Sequence, residues 1–119
     1  MEYRAALLVC VGGFAGALSR HGIAVLLPAP FPWGTLVVNV VGAFGLGLVV
    51  YRTTLRGGVS ERVRLVAATG FLSSFTTYST FAGETLALGP RLAALNVVAN
   101  YALGFSAVLL ARGVIRWRS

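Results

Sequence analysis

The 119-residue chain is strongly apolar, with 57% hydrophobic residues, only 11% charged residues and a mean hydropathy of +0.84. A soluble domain carries about a quarter charged residues, so this composition excludes an ordinary water-soluble domain and indicates a surface that faces lipid. The net charge of +7 would suggest a nucleic-acid partner in a soluble chain, but basic residues facing an anionic membrane leaflet account for it without one.

The sequence predicts one all-α membrane domain, residues 1–119, with four transmembrane helices. A helix needs about 20 predominantly apolar residues to cross a bilayer, and four stretches qualify: 5–27, 34–51, 65–88 and 92–111. Pro28, Pro30 and Pro32 end the first stretch, because proline cannot continue a helix. A polar loop at 52–64 and a Gly-Pro turn at 89–90 separate the others.

The first stretch also has features of a signal peptide, with Arg4 before an apolar run and small residues near Ala17. Three further apolar stretches follow, so that alternative leaves the membrane class unchanged. Small residues recur at the spacing that lets membrane helices approach closely: Gly12 and Gly16, Gly13 and Ala17, then Gly42, Gly45 and Gly47. We expect a compact bundle with further contacts to a partner subunit.

The basic residues are unevenly divided between the two sides of a four-span chain. One side, with both termini and the middle loop, has Arg4, Arg52, Arg56, Arg62, Arg64, Arg112, Arg116 and Arg118. The other side has only Arg20 and Arg91. By the positive-inside rule, we expect both termini to be cytoplasmic in a multi-pass protein of the cell membrane.

Three asparagines lie inside the predicted spans, where each polar group is costly. Asn39 is about one and a half turns into the second span; Asn96 and Asn100 share one face of the fourth, with Gly104 after them. Side-chain amides join membrane helices, and their N–H groups also suit an anion. For one asparagine the joining role is the better interpretation, whereas three of them favour a polar path.

The third span contains a run of hydroxyl residues that predicts a broken helix. Six serines and threonines lie between Ser73 and Thr80, and their hydroxyls can bond backbone carbonyls and loosen a helix. We expect the break near residues 74–77, in a place that is buried in protein or lines a cavity. The carbonyls freed by a break favour a hard cation such as sodium, and the freed N–H groups an anion.

Two aromatic residues beyond the predicted break, Tyr78 and Phe81, share one helix face because they are three residues apart. The edge of an aromatic ring is electropositive, so two rings turned edge-on can contact an anion without a charged residue. Spacing alone nevertheless favours ordinary core or lipid-facing aromatics.

Three segments of the sequence resemble the Fluc (CrcB) family of fluoride channels. They are Gly-Gly-Phe-Ala-Gly-Ala-Leu-Ser-Arg at 12–20, Gly-Thr-Leu-Val-Val-Asn at 34–39 and Thr-Thr-Tyr-Ser-Thr-Phe at 76–81. The resemblance covers essentially the whole chain in order, and the second and third motifs are highly specific together. It implies an antiparallel dimer of oppositely oriented subunits with two fluoride pores.

The resemblance also implies roles for individual residues. Asn39 is expected to donate to fluoride, with Tyr78 and Phe81 at the two aromatic positions of the pore. The remaining pore positions are Thr77, Ser79 and Thr80 and, by a weaker match, Asn96 and Asn100. Backbone carbonyls of Ser73 and Thr76 match the site of a structural sodium ion at the dimer interface. Arg20 and Glu84 match residues of the pore vestibule.

The implied function is passive export of cytoplasmic fluoride, which relieves fluoride toxicity. Neutral amides, hydroxyls and ring edges suit a fluoride pore, because conduction needs fluoride binding that is weak enough to allow its release. No enzyme is expected: His21 is the only histidine, and the sequence shows no Ser-His-Asp set or metal-ligand cluster. Two alternatives remain, a non-transporting membrane assembly subunit and a small proton-coupled antiporter, for which Glu84 is the acidic candidate.

The sequence departs from the family's pattern in three respects. Tyr78 stands where the family usually has phenylalanine, and Ser73-Ser74 replaces a glycine pair. The arginine bias is the third departure, because a self-pairing antiparallel dimer needs one sequence to insert both ways. We therefore expect the chain to form a dimer either with itself or, as the bias favours, with an oppositely oriented homologous subunit. In such a heterodimer one of the two pores can be degenerate, and Tyr78 can mark that pore.

Overall fold

The computed structural model describes residues 2–27 and 31–117, and all regular structure in these two ranges is helical. The long helices are α1 (Glu2–Leu26), α2 (Trp33–Tyr51) and α6 (Pro90–Trp117). Pro28 and Pro30 of the predicted first junction, and Arg118 of the basic C-terminus, lie outside the described residues.

Among the described residues, three helices are long and apolar enough to cross a membrane: Tyr3–Leu26, Trp33–Arg56 and Pro90–Trp117. The predicted all-helical membrane class is therefore confirmed. The remaining predicted span, 65–88, is not one continuous helix. It is formed by α3 (Glu61–Val63), a π-helical segment (Arg64–Leu72), α4 (Ser73–Phe75) and α5 (Ser79–Ala87). We call residues 61–87 the broken helix and residues 76–78 its gap.

The gap confirms the predicted break and places it slightly later than expected, at 76–78. Thr76 has extended backbone, with φ −81° and ψ 158°, and helix resumes at Ser79. The hydroxyls act as expected on the turn before the gap. Ser73 Oγ donates to the carbonyls of Thr69 and Gly70, and Thr76 Oγ1 donates to Leu72 O at 2.9 Å. These bonds compete with the regular helical pattern.

Two π-helical segments were not predicted. Arg52–Arg56 continues α2 and ends at Gly57, whose φ of 68° lies in the left-handed region that favours glycine. Arg64–Leu72 opens the broken helix. The predicted polar loop at 52–64 is therefore wrong for residues 52–56 and 61–63, which are helical, because polarity alone does not end a helix before Gly57. In the apolar run 65–72, composition does not distinguish 3.6 residues per turn from the wider π turn.

Glycines bring the helices together in two pairs, α1 with the π-helical segment 64–72 and α2 with α6. A Cβ added to Gly12 would overlap Val66 O, and one added to Gly16 would overlap Phe71 O. In the second pair, a Cβ on Gly47 would lie 2.9 Å from Ala111 Cβ. The predicted small-residue packing is therefore used within the subunit, where it replaces a conventional large-residue core.

The exterior of the bundle is apolar. Only 11%, 28% and 11% of the most apolar windows of α1, α2 and α6 are buried within the chain. The buried hydrophobic residues are few: Phe31, Leu36, Val38, Phe75, Phe81, Ala107 and Ala111. At one end of the bundle, Arg56 Nη2 donates to Ile115 O at 3.1 Å and joins the π-helical segment that continues α2 to the end of α6. Most apolar side chains thus face lipid or a partner.

Candidate functional site

The gap of the broken helix is fastened to α2 by a two-point hydrogen bond. Asn39 Nδ2 donates to Thr77 O at 3.0 Å, and Thr77 N donates to Asn39 Oδ1 at 2.8 Å. The side-chain amide thereby satisfies both the backbone N–H and the backbone C=O of Thr77, which the break has released from helical bonding. Asn39 and Thr77, two predicted pore residues, are therefore in direct contact.

The Thr77 side chain also starts the second half of the broken helix. Its Oγ1 accepts a hydrogen bond from Thr80 N at 3.1 Å, as the hydroxyl of an N-terminal cap does. Thr77 is buried, whereas Ser79 and Thr80, the other two predicted hydroxyl residues, are exposed on the first turn of α5.

A chain of side-chain hydrogen bonds, which we call the amide relay, continues from Asn39 into α6. Asn39 Nδ2 lies 3.4 Å from Asn100 Oδ1, and Asn100 Nδ2 donates to Asn96 O at 2.8 Å and to Asn96 Oδ1 at 3.0 Å. Asn96 is fully buried, and its Nδ2 donates to Thr85 Oγ1 at 2.8 Å. Thr85 Oγ1 donates to Phe81 O at 2.7 Å. The three predicted asparagines form one continuous network.

Thr85 is a site residue that the sequence analysis missed. It lies four residues after Phe81, outside the hydroxyl run that drew attention to the gap. A hydroxyl at that spacing usually bonds only its own helix, as Thr85 does at Phe81 O. Its second bond, from Asn96, depends on how α5 and α6 pack, which local sequence does not reveal.

The two predicted aromatic residues are adjacent but differently exposed. Their ring centroids are 5.8 Å apart at an interplanar angle of 49°. Phe81 is buried at 6% exposure, whereas Tyr78 is 70% exposed. Tyr101, which was not predicted, meets Phe81 in a T-shaped contact with centroids 6.2 Å apart at 84°. Rings in such a contact place an electropositive edge against a ring face.

A groove of about 510 Å³ opens on the outside of the bundle beside the gap. Its polar lining comes from Asn39, Ser73, Thr76, Thr77 and Tyr78, and its other walls are apolar residues of α2 and the broken helix. We call it the outer groove. The predicted sodium positions and three predicted pore positions therefore line one open surface.

A smaller cavity of about 180 Å³ lies on the other side of Thr77. It is lined by the two predicted vestibule residues, Arg20 and Glu84, together with Thr77 and Thr80 and the residues His21, Ala24, Gly34 and Thr35. The Glu84 Oε1 atom is buried and has no hydrogen-bond partner in the part of the chain that the structure describes. The predicted vestibule and pore residues thus converge on Thr77.

The carbonyls of Ser73 and Thr76, the predicted sodium positions, have lost their ordinary helical donors. In an unbroken helix Thr77 N and Thr80 N would bond these two carbonyls. Thr77 N donates instead to Asn39 Oδ1, and Thr80 N donates to Thr77 Oγ1. Within residues 2–27 and 31–117, no group of three or more His, Cys, Asp or Glu residues offers a different kind of metal site.

Apolar helices of membrane-spanning length around a partly buried network of neutral amides and hydroxyls define a multi-pass membrane protein. The family model described as "CrcB-like protein, Camphor Resistance (CrcB)" matches residues 7–112. The chain belongs to this family.

Curated relatives cover nearly all of the chain. "Fluoride-specific ion channel FluC 1" of Natronomonas pharaonis is 75% identical over 119 residues, the whole of both chains. "Fluoride-specific ion channel FluC 1" of Haloarcula marismortui is 50% identical over 110 residues, 92% of this chain and 84% of that protein. "Fluoride-specific ion channel FluC 2" of Halobacterium salinarum is 42% identical over 115 residues, 96% of this chain and 88% of that protein.

Proposed function

We propose that this protein is a fluoride-selective, passive ion channel that exports cytoplasmic fluoride. The observation that carries the proposal is the contact of Asn39 with Thr77 at the gap, extended by the amide relay, in a chain 75% identical to a protein named as a fluoride-specific channel. The network brings several neutral donors together in an otherwise apolar bundle.

Neutral donors suit fluoride for a physical reason. A small, strongly hydrated anion needs several donors in place of its water, but a full positive charge would hold it too tightly to let it leave. A cell interior that is negative by 100 mV drives an anion outward by about 2.3 kcal/mol per charge. Fluoride that enters as hydrogen fluoride and dissociates inside is therefore expelled without any chemical energy source.

The outer groove supports assembly as a dimer with two pores. Tyr78 is 70% exposed beside it, and Asn39, Thr76 and Thr77 line it. Lipid cannot satisfy exposed polar groups or non-helical backbone in the membrane, so a protein partner on this face would enclose them. In this arrangement the broken helix is the remaining one of four crossings, with its gap inside the membrane.

The arginine bias supports a fixed orientation, with both termini in the cytoplasm. An antiparallel dimer then needs a second, oppositely oriented homologue, and relatives with the names FluC 1 and FluC 2 fit a system of two subunits. An antiparallel homodimer remains the alternative assembly.

A structural sodium ion fits the gap. The carbonyl oxygens of Ser73 and Thr76 are hard ligands of the kind that suit a hard cation, and the N–H groups that would otherwise bond them are engaged elsewhere. Both residues line the outer groove, so an ion there would join two subunits. When bound, it would supply positive charge at the interface.

The test is fluoride efflux from liposomes containing the purified chain, alone and with a homologous partner, with chloride as the control anion. We expect rapid fluoride-selective efflux that fails in Phe81→Ile but persists in Phe14→Ile, because Phe14 is 69% exposed on α1. Well-folded protein that moves no fluoride in either form would favour a non-transporting assembly subunit. Efflux that needs a proton gradient and stops in Glu84→Gln would favour a proton-coupled antiporter.

A further inference from the structure

The amide relay runs in one direction, with each side chain donating to the next. Asn39 donates to Asn100, Asn100 donates to Asn96, and Asn96 donates to Thr85. The Thr85 hydroxyl donates the last hydrogen bond of the relay to the backbone carbonyl of Phe81. An amide has two N–H donors. Those of Asn39 are used by Thr77 O and Asn100 Oδ1, and those of Asn100 by the two oxygens of Asn96.

The bonds of the relay are not equally strong. Four of them have lengths between 2.7 and 3.0 Å, within the ordinary range. The bond from Asn39 Nδ2 to Asn100 Oδ1 is 3.4 Å long and is the weakest. A new acceptor arriving at Asn39 would therefore replace Asn100 Oδ1 rather than Thr77 O, which lies at 3.0 Å.

We propose that the side-chain carbonyl of Asn100 competes with the anion for Asn39 Nδ2, and that Thr85 and Asn96 are positioning residues that hold this carbonyl in place. The proposal rests on the proposed channel function and adds a device that sets how tightly the pore holds its ion. The N–H groups of Asn100 point away from Asn39 into the relay, so only its oxygen is presented to the pore donor.

An internal competitor has a clear physical effect. Inside a membrane a donor left without an acceptor is costly, so an Asn39 amide with no acceptor would bind the next anion strongly and release it slowly. Asn100 Oδ1 accepts the hydrogen bond of Asn39 Nδ2 whenever no anion is bound. The free energy of anion binding is therefore only the difference between the bond to the anion and the bond to Asn100 Oδ1. Entry and release are then both kept fast, as conduction requires.

Thr85 offers a clean test, because Thr85→Val removes the hydroxyl and preserves the shape. The measurement is the fluoride concentration that gives half-maximal efflux from liposomes. We expect Thr85→Val to lower it on the order of fivefold, the factor that one ordinary hydrogen bond makes in an equilibrium, and Thr85→Ser to restore it. Ser106→Ala is the matched control, since Ser106 Oγ donates to Ala102 O on the exposed side of α6, and it should change nothing.

A double substitution shows whether Thr85 acts through Asn100. Asn100→Ala alone should lower the half-maximal concentration at least as much, and adding Thr85→Val should produce no further change, because residues in one network are not additive. A purely structural role would reduce the amount of active protein and leave the half-maximal concentration unmoved. That result, or full additivity of the two substitutions, would overturn the proposal.

The relay can also be observed without transport. Asn39, Asn96 and Asn100 are the chain's three asparagines and it has no glutamine, so asparagine-selective 15N labelling gives three pairs of side-chain amide signals, one pair for each residue. We expect Thr85→Val to shift the Asn96 and Asn100 signals, Thr85→Ser to restore them, and sodium fluoride to shift those of Asn39. If the wild type moved no fluoride, the channel function would fail, while Asn100 signals unaffected by Thr85→Val would refute the relay itself.

Discussion

Substituting Gly16 by alanine is expected to weaken the packing of α1 on the broken helix. An ideal Cβ at this position would overlap Phe71 O and lie 3.0 Å from Phe71 C and 3.1 Å from Phe71 Cα. These are backbone atoms of the π-helical segment, so a side-chain rotation cannot relieve the overlap. Overpacking of this kind costs about 1–3 kcal/mol.

Gly22 of the same helix is the matched control, because a Cβ there would meet no atom within 4 Å. Both substitutions gain the helix propensity of alanine, about 0.8–1 kcal/mol, so that term cancels between them. The free energies of unfolding should then differ by about 1–3 kcal/mol, with Gly16→Ala the less stable. Reversible unfolding in mixed micelles measures this difference, and equal stabilities would refute the close approach of α1 to Phe71.

Three further predictions concern single residues near the gap and in the loop. Tyr78→Phe should conduct fluoride at least as well as the wild type in the liposome assay, because it keeps the ring edge and removes only the hydroxyl; a large loss would show that the hydroxyl takes part. Thr77→Val should cost about 1 kcal/mol of stability, because Thr80 N loses its capping acceptor, and Thr77→Ser should recover it in the same unfolding measurement. Gly57→Ala should cost about 1–3 kcal/mol, because φ 68° and ψ 177° strain any residue with a Cβ, whereas Gly113→Ala, in open space on α6, should not destabilise.

The helices and the gap could be predicted because their causes are local in the sequence. Apolar runs gave α1, α2 and α6, and hydroxyl groups near Thr76 indicated where the helix would lose its bonding pattern. The end points were less accurate. α6 continues to Trp117 rather than ending near residue 111, because composition measures only the part of a helix that suits lipid.

The sequence predicted most of the residues that form the site, but not the hydrogen bonds and ring contacts between them. The sequence indicated Asn39, Asn96 and Asn100 as polar groups with a shared purpose, without the order in which they bond. Thr85 and Tyr101 were missed because their contacts cross from one helix to another. A π-helical turn also shifts the faces of the residues that follow it in the same helix, so periodicity counted from the start of the broken helix could not place Thr85.

The outward-facing apolar surface also determines which substitutions the sequence can accept during evolution. Because so little of α1 and α6 is enclosed within the subunit, exchange of one aliphatic residue for another at most of their positions leaves the free energy of folding nearly unaffected. A saturation mutagenesis library should therefore tolerate aliphatic replacements over most of the bundle. Substitutions should be poorly tolerated only at a few positions, where two backbones are in close contact or a side-chain amide is hydrogen-bonded. These positions include Gly12, Gly16, Asn39, Thr77 and Asn96.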